Sequence, residues 1–165
     1  MTDEYYMQIA LDLAKQAAEL GEVPVGAVVV YDPIDPATRK HIQSAEIIAT
    51  AHNLRHTSNN PSAHAEFLAM LEAAKKLDNW RLSGCTVYVT LEPCIMCAGL
   101  MHQSRIDRCV FGAYDKKAGA LSSLYNVASD SRLNHNFAVT EGLMQDQCAK
   151  LLSDFFIKQR KQEKA

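Results

Sequence analysis

Apolar residues recur at three- and four-residue steps from Tyr6 through Ile9, Ala10, Leu13 and Ala17 to Leu20, the period of a helix with one buried stripe. The pattern predicts a helix over residues 3–20, stopped by Gly21. It then changes abruptly. Residues 23–31, Val-Pro-Val-Gly-Ala-Val-Val-Val-Tyr, are apolar and β-branched nearly throughout, as in a strand covered on both faces, with Pro24 at its beginning, where a missing N–H does least harm. The polar, turn-rich residues 32–40 predict an exposed hairpin connection, residues 44–50 the returning strand, and residues 51–61 a long polar loop, a kind of segment that often carries function. Ser62 can cap a helix to about Leu77, with Phe67, Leu68, Leu71, Ala74 and Leu77 as its stripe. Residues 86–90 alternate as a strand. Pro93 suits the first position of a helix carrying Cys94, Cys97, Leu100 and Met101. Strands follow at 107–112 and 137–140, with a loop and a short helix over 116–136 between them, and a helix over 145–161 closes the chain.

This order of elements predicts an α/β fold, a central mixed five-stranded sheet with helices on both faces in three layers. At 165 residues without repeat or linker, the chain is expected to be a single domain.

Two short stretches thirty residues apart carry the chemistry. The first is Asn60-Pro61-Ser62-Ala63-His64-Ala65-Glu66 and the second is Pro93-Cys94-Ile95-Met96-Cys97. Two cysteines three apart on one helix share a face and can reach one ion, and near the helix start the dipole favours the thiolate that binds metal. His64 supplies a third ligand. On an ideal helix Glu66 stands roughly 200° from His64, so the two are poor side-by-side ligands, and Glu66 is left to move protons. Three protein ligands leave a position open for water, the arrangement of a catalytic zinc site, whereas a structural zinc takes four. The same residues also admit blander readings. Cys94 and Cys97 would serve as a redox pair, or as part of a structural zinc site with a fourth ligand from His52, His56, His102 or Cys85.

Composition narrows the picture further. The formal net charge is −2, so any nucleic-acid contact must rest on a local basic patch. The tail offers one: Lys158, Arg160, Lys161 and Lys164 stand against a single Glu163, beside Phe155 and Phe156, a combination that can pair phosphates and stack a splayed base or simply be a solvated helix end. Lys116-Lys117 admits the same two readings. Five cysteines with one C-x-x-C do not make a secreted disulfide framework. The acidic N-terminus lacks a signal-peptide pattern, and no apolar run approaches the roughly 18 residues of a membrane span. A cytoplasmic location is expected. Cys85, Cys109 and Cys148 read as small core hydrophobes.

His64-Ala65-Glu66 with Pro93-Cys94-Ile95-Met96-Cys97 resembles the H-x-E…P-C-x-x-C signature of zinc nucleoside and nucleobase deaminases. The likeness extends through Gly21–Val28, Thr86–Gly99, Val110–Ala113, Leu133-Asn134-His135 and Leu151–Phe156, which are similar to the family of bacterial tRNA-specific adenosine deaminases in the cytidine/deoxycytidylate deaminase superfamily. That resemblance implies hydrolysis of adenosine to inosine at the wobble position of the tRNA anticodon, by a homodimer with one zinc per subunit and no organic cofactor. It implies His64, Cys94 and Cys97 as ligands, Glu66 as proton shuttle, and Asn53, Asn134, Phe156 and Arg160 as contacts to the anticodon loop. The connection over residues 31–40 is several residues longer than the family leads one to expect. Two other functions share these motifs: a deaminase of free guanine, cytosine or a nucleotide, which needs no basic tail, and a zinc-stabilised binding protein, which does not need Glu66.

Overall fold

The computed structural model describes residues 1–165. The β-branched run ends in the strand β1 (Gly26–Tyr31), buried at every position but Tyr31. β1 lies between β2 (Glu46–His52) and β3 (Cys85–Leu91), antiparallel to both, and β4 (Arg108–Ala113) and β5 (Ala138–Thr140) continue from β3 in parallel. The sheet order is β2-β1-β3-β4-β5. Parallel neighbours require a crossover, and α3 (Ile95–Gln103) makes it between β3 and β4. The remaining helices are α1 (Asp3–Glu19), α2 (Ala65–Leu77) and α4 (Gln145–Glu163), with a 3₁₀ turn at Val127–Ser129. No helix is long and apolar enough to cross a membrane.

The two-residue period of β1 sorts the core into two layers. Ala27 and Val29 pack with Ala65, Ala69 and Met70 of α2 and Ala98 and Met101 of α3. Val28 and Val30 pack on the other face with Met7, Ala10 and Leu11 of α1 and Cys148 of α4. The three-layer α/β/α expectation therefore stands. α1 crosses β1 so closely that a Cβ on Gly26 would overlap the Ala10 carbonyl, which leaves glycine as the residue that fits there.

The strand boundaries move for identifiable reasons. Residues 23–25 are not strand: the Val25 N–H folds back onto the Val23 carbonyl (2.9 Å), and the Val25 carbonyl accepts the Asn53 N–H (3.0 Å). β2 runs two residues further than its sequence suggests, to His52, because Ala51 and His52 pair with Ala27 and Gly26. The longer hairpin connection closes on itself through a bridge between Ile34 and His41.

One ion pair joins α1 to the sheet. The Arg108 guanidinium donates to both Asp3 carboxylate oxygens (3.1 and 2.6 Å) and to Thr140 Oγ1 (2.7 Å), and the Tyr88 hydroxyl donates to Asp3 (2.7 Å). These bonds, led by Arg108, hold the Asp3 carboxyl below its ordinary range against the smaller effect of burial. A lowered folded-state pKa stabilises the fold above the unfolded value, about 3.9 for Asp, and the contribution is lost as pH falls through the lowered value. Both partners are about one third exposed (31% and 33%), so solvent screening keeps the effect modest. In thermal melts taken from pH 6 down to pH 2, the acid limb of an Asp3→Asn variant is expected to be shallower than that of the parent; superimposable limbs would remove this pair from the acid response.

Candidate active site

Both sequence motifs end at helix starts, each two residues later than the sequence suggests. Ser62 does not cap α2. Its N–H and its hydroxyl both bond Asn60 Oδ1 (2.9 and 2.7 Å), an Asx turn that competes with helix formation. The chain stays extended through His64 (φ −76°, ψ 149°), which occupies the cap position. The helical angle between His64 and Glu66 therefore does not apply: His64 stands outside the helix and Glu66 lies in its first turn. Pro93 likewise stays outside α3. Its carbonyl accepts the Ala120 N–H (2.8 Å), and Cys94 pairs as an isolated bridge with Gly119, so Cys94 becomes the cap (φ −74°, ψ 175°) and Cys97 sits in the first turn.

These starts bring three donor atoms together. His64 Nδ1 is 3.6 Å from each of Cys94 Sγ and Cys97 Sγ, and the three ligand atoms all lie within 4.8 Å of one another. Tetrahedral zinc with Zn–S of about 2.3 Å and Zn–N of about 2.0 Å demands N···S edges of about 3.5 Å. The edges fit. His52, His56, His102 and Cys85 do not join the group, so it offers three protein ligands and no fourth. The thiols are already polarised. Cys94 is pushed down to about 4, first by the Cys97 thiol bonded to it and then by the His64 ring. Cys97 is pushed up by that same bond and by burial, and His64 is raised chiefly by Cys94. A divalent cation held by these three atoms would take the place of the shared protons.

His64, Glu66 and Cys94 open onto a cavity of about 590 Å³. Glu66 is only 4% exposed, and burial raises its carboxyl above the usual range. Asn53 and Phe156 also line it. The Asn53 amide is partly committed to backbone, with Nδ2 donating to the Val23 carbonyl (3.3 Å) and Oδ1 accepting the Arg55 N–H (3.1 Å). Each of its polar atoms keeps one free valence. Arg160 is exposed and off the wall, one helical turn beyond Phe156 on α4. Asn134 is exposed and elsewhere. The next residue, His135, presents its carbonyl to the His102 ring (3.3 Å) in the last turn of α3, the opposite end of that helix from Cys94.

The cavity also holds residues that sequence patterns did not single out. Val23, Val25, Leu91 and Leu152 form apolar walls, and Arg55 joins Lys116 and Lys117 at the rim. Glu22 is fully buried. One of its oxygens accepts the Thr57 N–H and the other has no partner, so it pins the loop that follows Asn53. A glutamate beside an apolar run was the available signal.

Residues 1–113 match the family described as the cytidine and deoxycytidylate deaminase zinc-binding region. The chain is 47% identical over 163 residues to the tRNA-specific adenosine deaminase of Bacillus subtilis (strain 168), covering 99% of this chain and 94% of that protein. It is 44% identical over 162 residues to the protein of the same name from Haemophilus influenzae, covering 98% and 87%. A solved structure from a study of A-to-I editing by tRNA:A34 deaminases at the wobble position of transfer RNA superposes with a TM-score of 0.78 at 36% identity, covering 90% of this chain and 99% of that one.

Proposed function

Because the chain belongs to the zinc-binding cytidine and deoxycytidylate deaminase family, beside the tRNA-specific adenosine deaminases, we propose that it hydrolyses the 6-amino group of adenosine at the wobble position of a tRNA anticodon, giving inosine and ammonia. The observation that carries the reaction type is the three-ligand N/S group at the floor of a cavity shared with one buried carboxyl. Likeness over nearly the full chain to enzymes of that name supports the substrate.

His64, Cys94 and Cys97 would hold one zinc per subunit, and that ion would supply a water acidified toward a pKa of about 7. Glu66 would take one proton from the water as its oxygen bonds to C6 and deliver that proton to the neighbouring ring nitrogen. It would then pass the hydroxyl proton to the amine, so that the C6–N bond breaks, ammonia leaves and the C6 carbonyl of inosine forms. Its buried setting suits the task, since a carboxyl raised toward neutrality both accepts and returns a proton. The apolar walls of Val25, Leu91 and Leu152 exclude bulk water, and Asn53 keeps one donor and one acceptor valence for the nucleoside.

Recognition of RNA combines three elements. Phe156 offers a face for stacking a splayed base, Arg55, Lys116 and Lys117 offer cations to phosphates, and Arg160 extends the basic strip along α4. Asn134 lies outside the cavity, toward the far end of α3; its part in this reading is to contact the anticodon loop of a tRNA held at the second subunit of a homodimer, as the resemblance implies, and the substrate makes the location cytoplasmic.

The test is incubation with an anticodon stem-loop carrying adenosine at position 34, in parallel with free adenosine, cytidine and guanine. Ammonia and inosine from the stem-loop alone are expected. Ammonia only from free bases would replace the tRNA reading with a base deaminase, and silence on every substrate would favour a binding protein.

A further inference from the structure

Glu92 opens the β3–α3 connection two residues before Cys94, and its side chain is only 2% exposed. Five donors converge on it, none of them a cation. Oε1 accepts the Asp115 N–H (3.1 Å) and the Ser123 hydroxyl (2.5 Å). Oε2 accepts the N–H groups of Leu121 (3.3 Å), Ser122 (3.0 Å) and Ser123 (2.9 Å). A carboxylate offers about four lone-pair sites, so this one has no capacity left for substrate. Its work is with the loop.

The main chain repeats the attachment. The Glu92 N–H bonds the Ala113 carbonyl (2.8 Å), and the Ala120 N–H bonds the Pro93 carbonyl (2.8 Å). Gly119 passes directly over the carboxylate, where any Cβ would collide with it. Between the two ends of this attachment, Asp115 and Gly119, lie Lys116, Lys117 and Ala118, all on the cavity wall. Asp115 Oδ1 in turn accepts the N–H groups of Lys117 and Ala118 (3.0 and 3.1 Å). The stretch that forms one side of the cavity is thus tied at both ends to the segment that carries a ligand.

We infer that Glu92 is a positioning residue: it holds the 115–123 loop, and with it the Lys116–Ala118 wall, in fixed register with Cys94, so that RNA meets a preformed rim. The inference rests on reading the cavity as the RNA site. Glu92→Gln tests it with little change of shape, because the amide nitrogen must face either Asp115 N–H or the three N–H groups at Oε2, donor against donor. Hydrogen exchange at the Asp115, Ser122 and Ser123 amides is expected to quicken about tenfold, as for loss of one buried bond, while amides of β1 and β3 keep their protection. KM for the stem-loop is expected to rise about tenfold with kcat within about threefold, and zinc to remain at one per chain.

Unchanged exchange and unchanged KM would overturn the inference. So would a fall in kcat at constant KM, which would put Glu92 at the reacting atoms, or loss of zinc with the loop still protected. Should Glu92→Gln fail to fold, Ser123→Ala decides: it removes one of the five donors and leaves the carboxylate, and a KM rise of about two- to threefold is expected, an unchanged KM being the contrary result. A parent protein silent on the stem-loop would defeat the substrate reading, while the exchange measurement would still decide whether Glu92 holds the loop.

Discussion

Replacing Glu66 with glutamine is expected to lower kcat by about 10²–10⁴-fold, the span of a positioned general acid–base, while one zinc per chain is retained. Glutamine keeps the volume of the side chain and its place in the first turn of α2, so the packing around Ala65 and Ala69 has no reason to change. What it loses is the ability to take and return a proton. No other carboxylate in the cavity can substitute. Glu92 is saturated by five donors, and Asp115 caps the turn at Lys117 and Ala118. Turnover on the stem-loop measured beside metal content separates the two roles: a variant that turns over near the parental rate would remove Glu66 from the chemistry, and one that loses zinc would make it a ligand.

The second large effect is expected at Cys94. In Cys94→Ala, bound zinc falls from one ion per chain to a small fraction and stem-loop deamination becomes undetectable. Only His64 and Cys97 remain, and no other His, Cys, Asp or Glu stands near enough to complete a set of three. Metal analysis after extensive dialysis reads the result. Full zinc and full activity in this variant would show that the ion is held elsewhere.

The layers and the grouping of His64, Cys94 and Cys97 could be read from the chain because they depend on local pattern. The β-branched run gave β1, the three- and four-residue steps gave α1, α2 and α4, and His64 with Cys94 and Cys97 were marked by residue type and spacing. On α2 the steps marked the wrong face: Ala65, Ala69, Met70 and Ala73 are buried, whereas Phe67, Leu68, Ala74 and Leu77 are only partly covered and Leu71 is exposed. The helix starts were not legible, because distant or competing groups set them. Ser62 has the right chemistry for a cap, yet Asn60 takes its N–H and hydroxyl. Pro93 has the right φ for a first helical position, yet Ala120, far along the chain, bonds its carbonyl. Asn53 illustrates a third limit. Its place on the cavity wall depends on the carbonyls of Val23 and Val25, residues that by composition alone belong to a strand. The role of Glu92 was hidden most deeply, since its partners lie 23 to 31 positions away in a stretch whose sequence reads only as loop.

α2 and α3 begin on His64 and Cys94, and neither side chain makes a capping hydrogen bond to its helix start. Helices usually begin on Ser, Thr, Asp or Asn, whose oxygen ties down the first turn at a gain of about 1 kcal/mol. Here both starting side chains are turned toward each other and toward Cys97, so a single ion held there would fasten two helix beginnings at once. An ion that binds only the folded chain adds stability in proportion to the logarithm of its free concentration, about 4 kcal/mol at a thousandfold excess over Kd. Added zinc is then expected to raise the melting temperature and a chelator to lower it, and a melt indifferent to both would show that no ion joins the two helix starts.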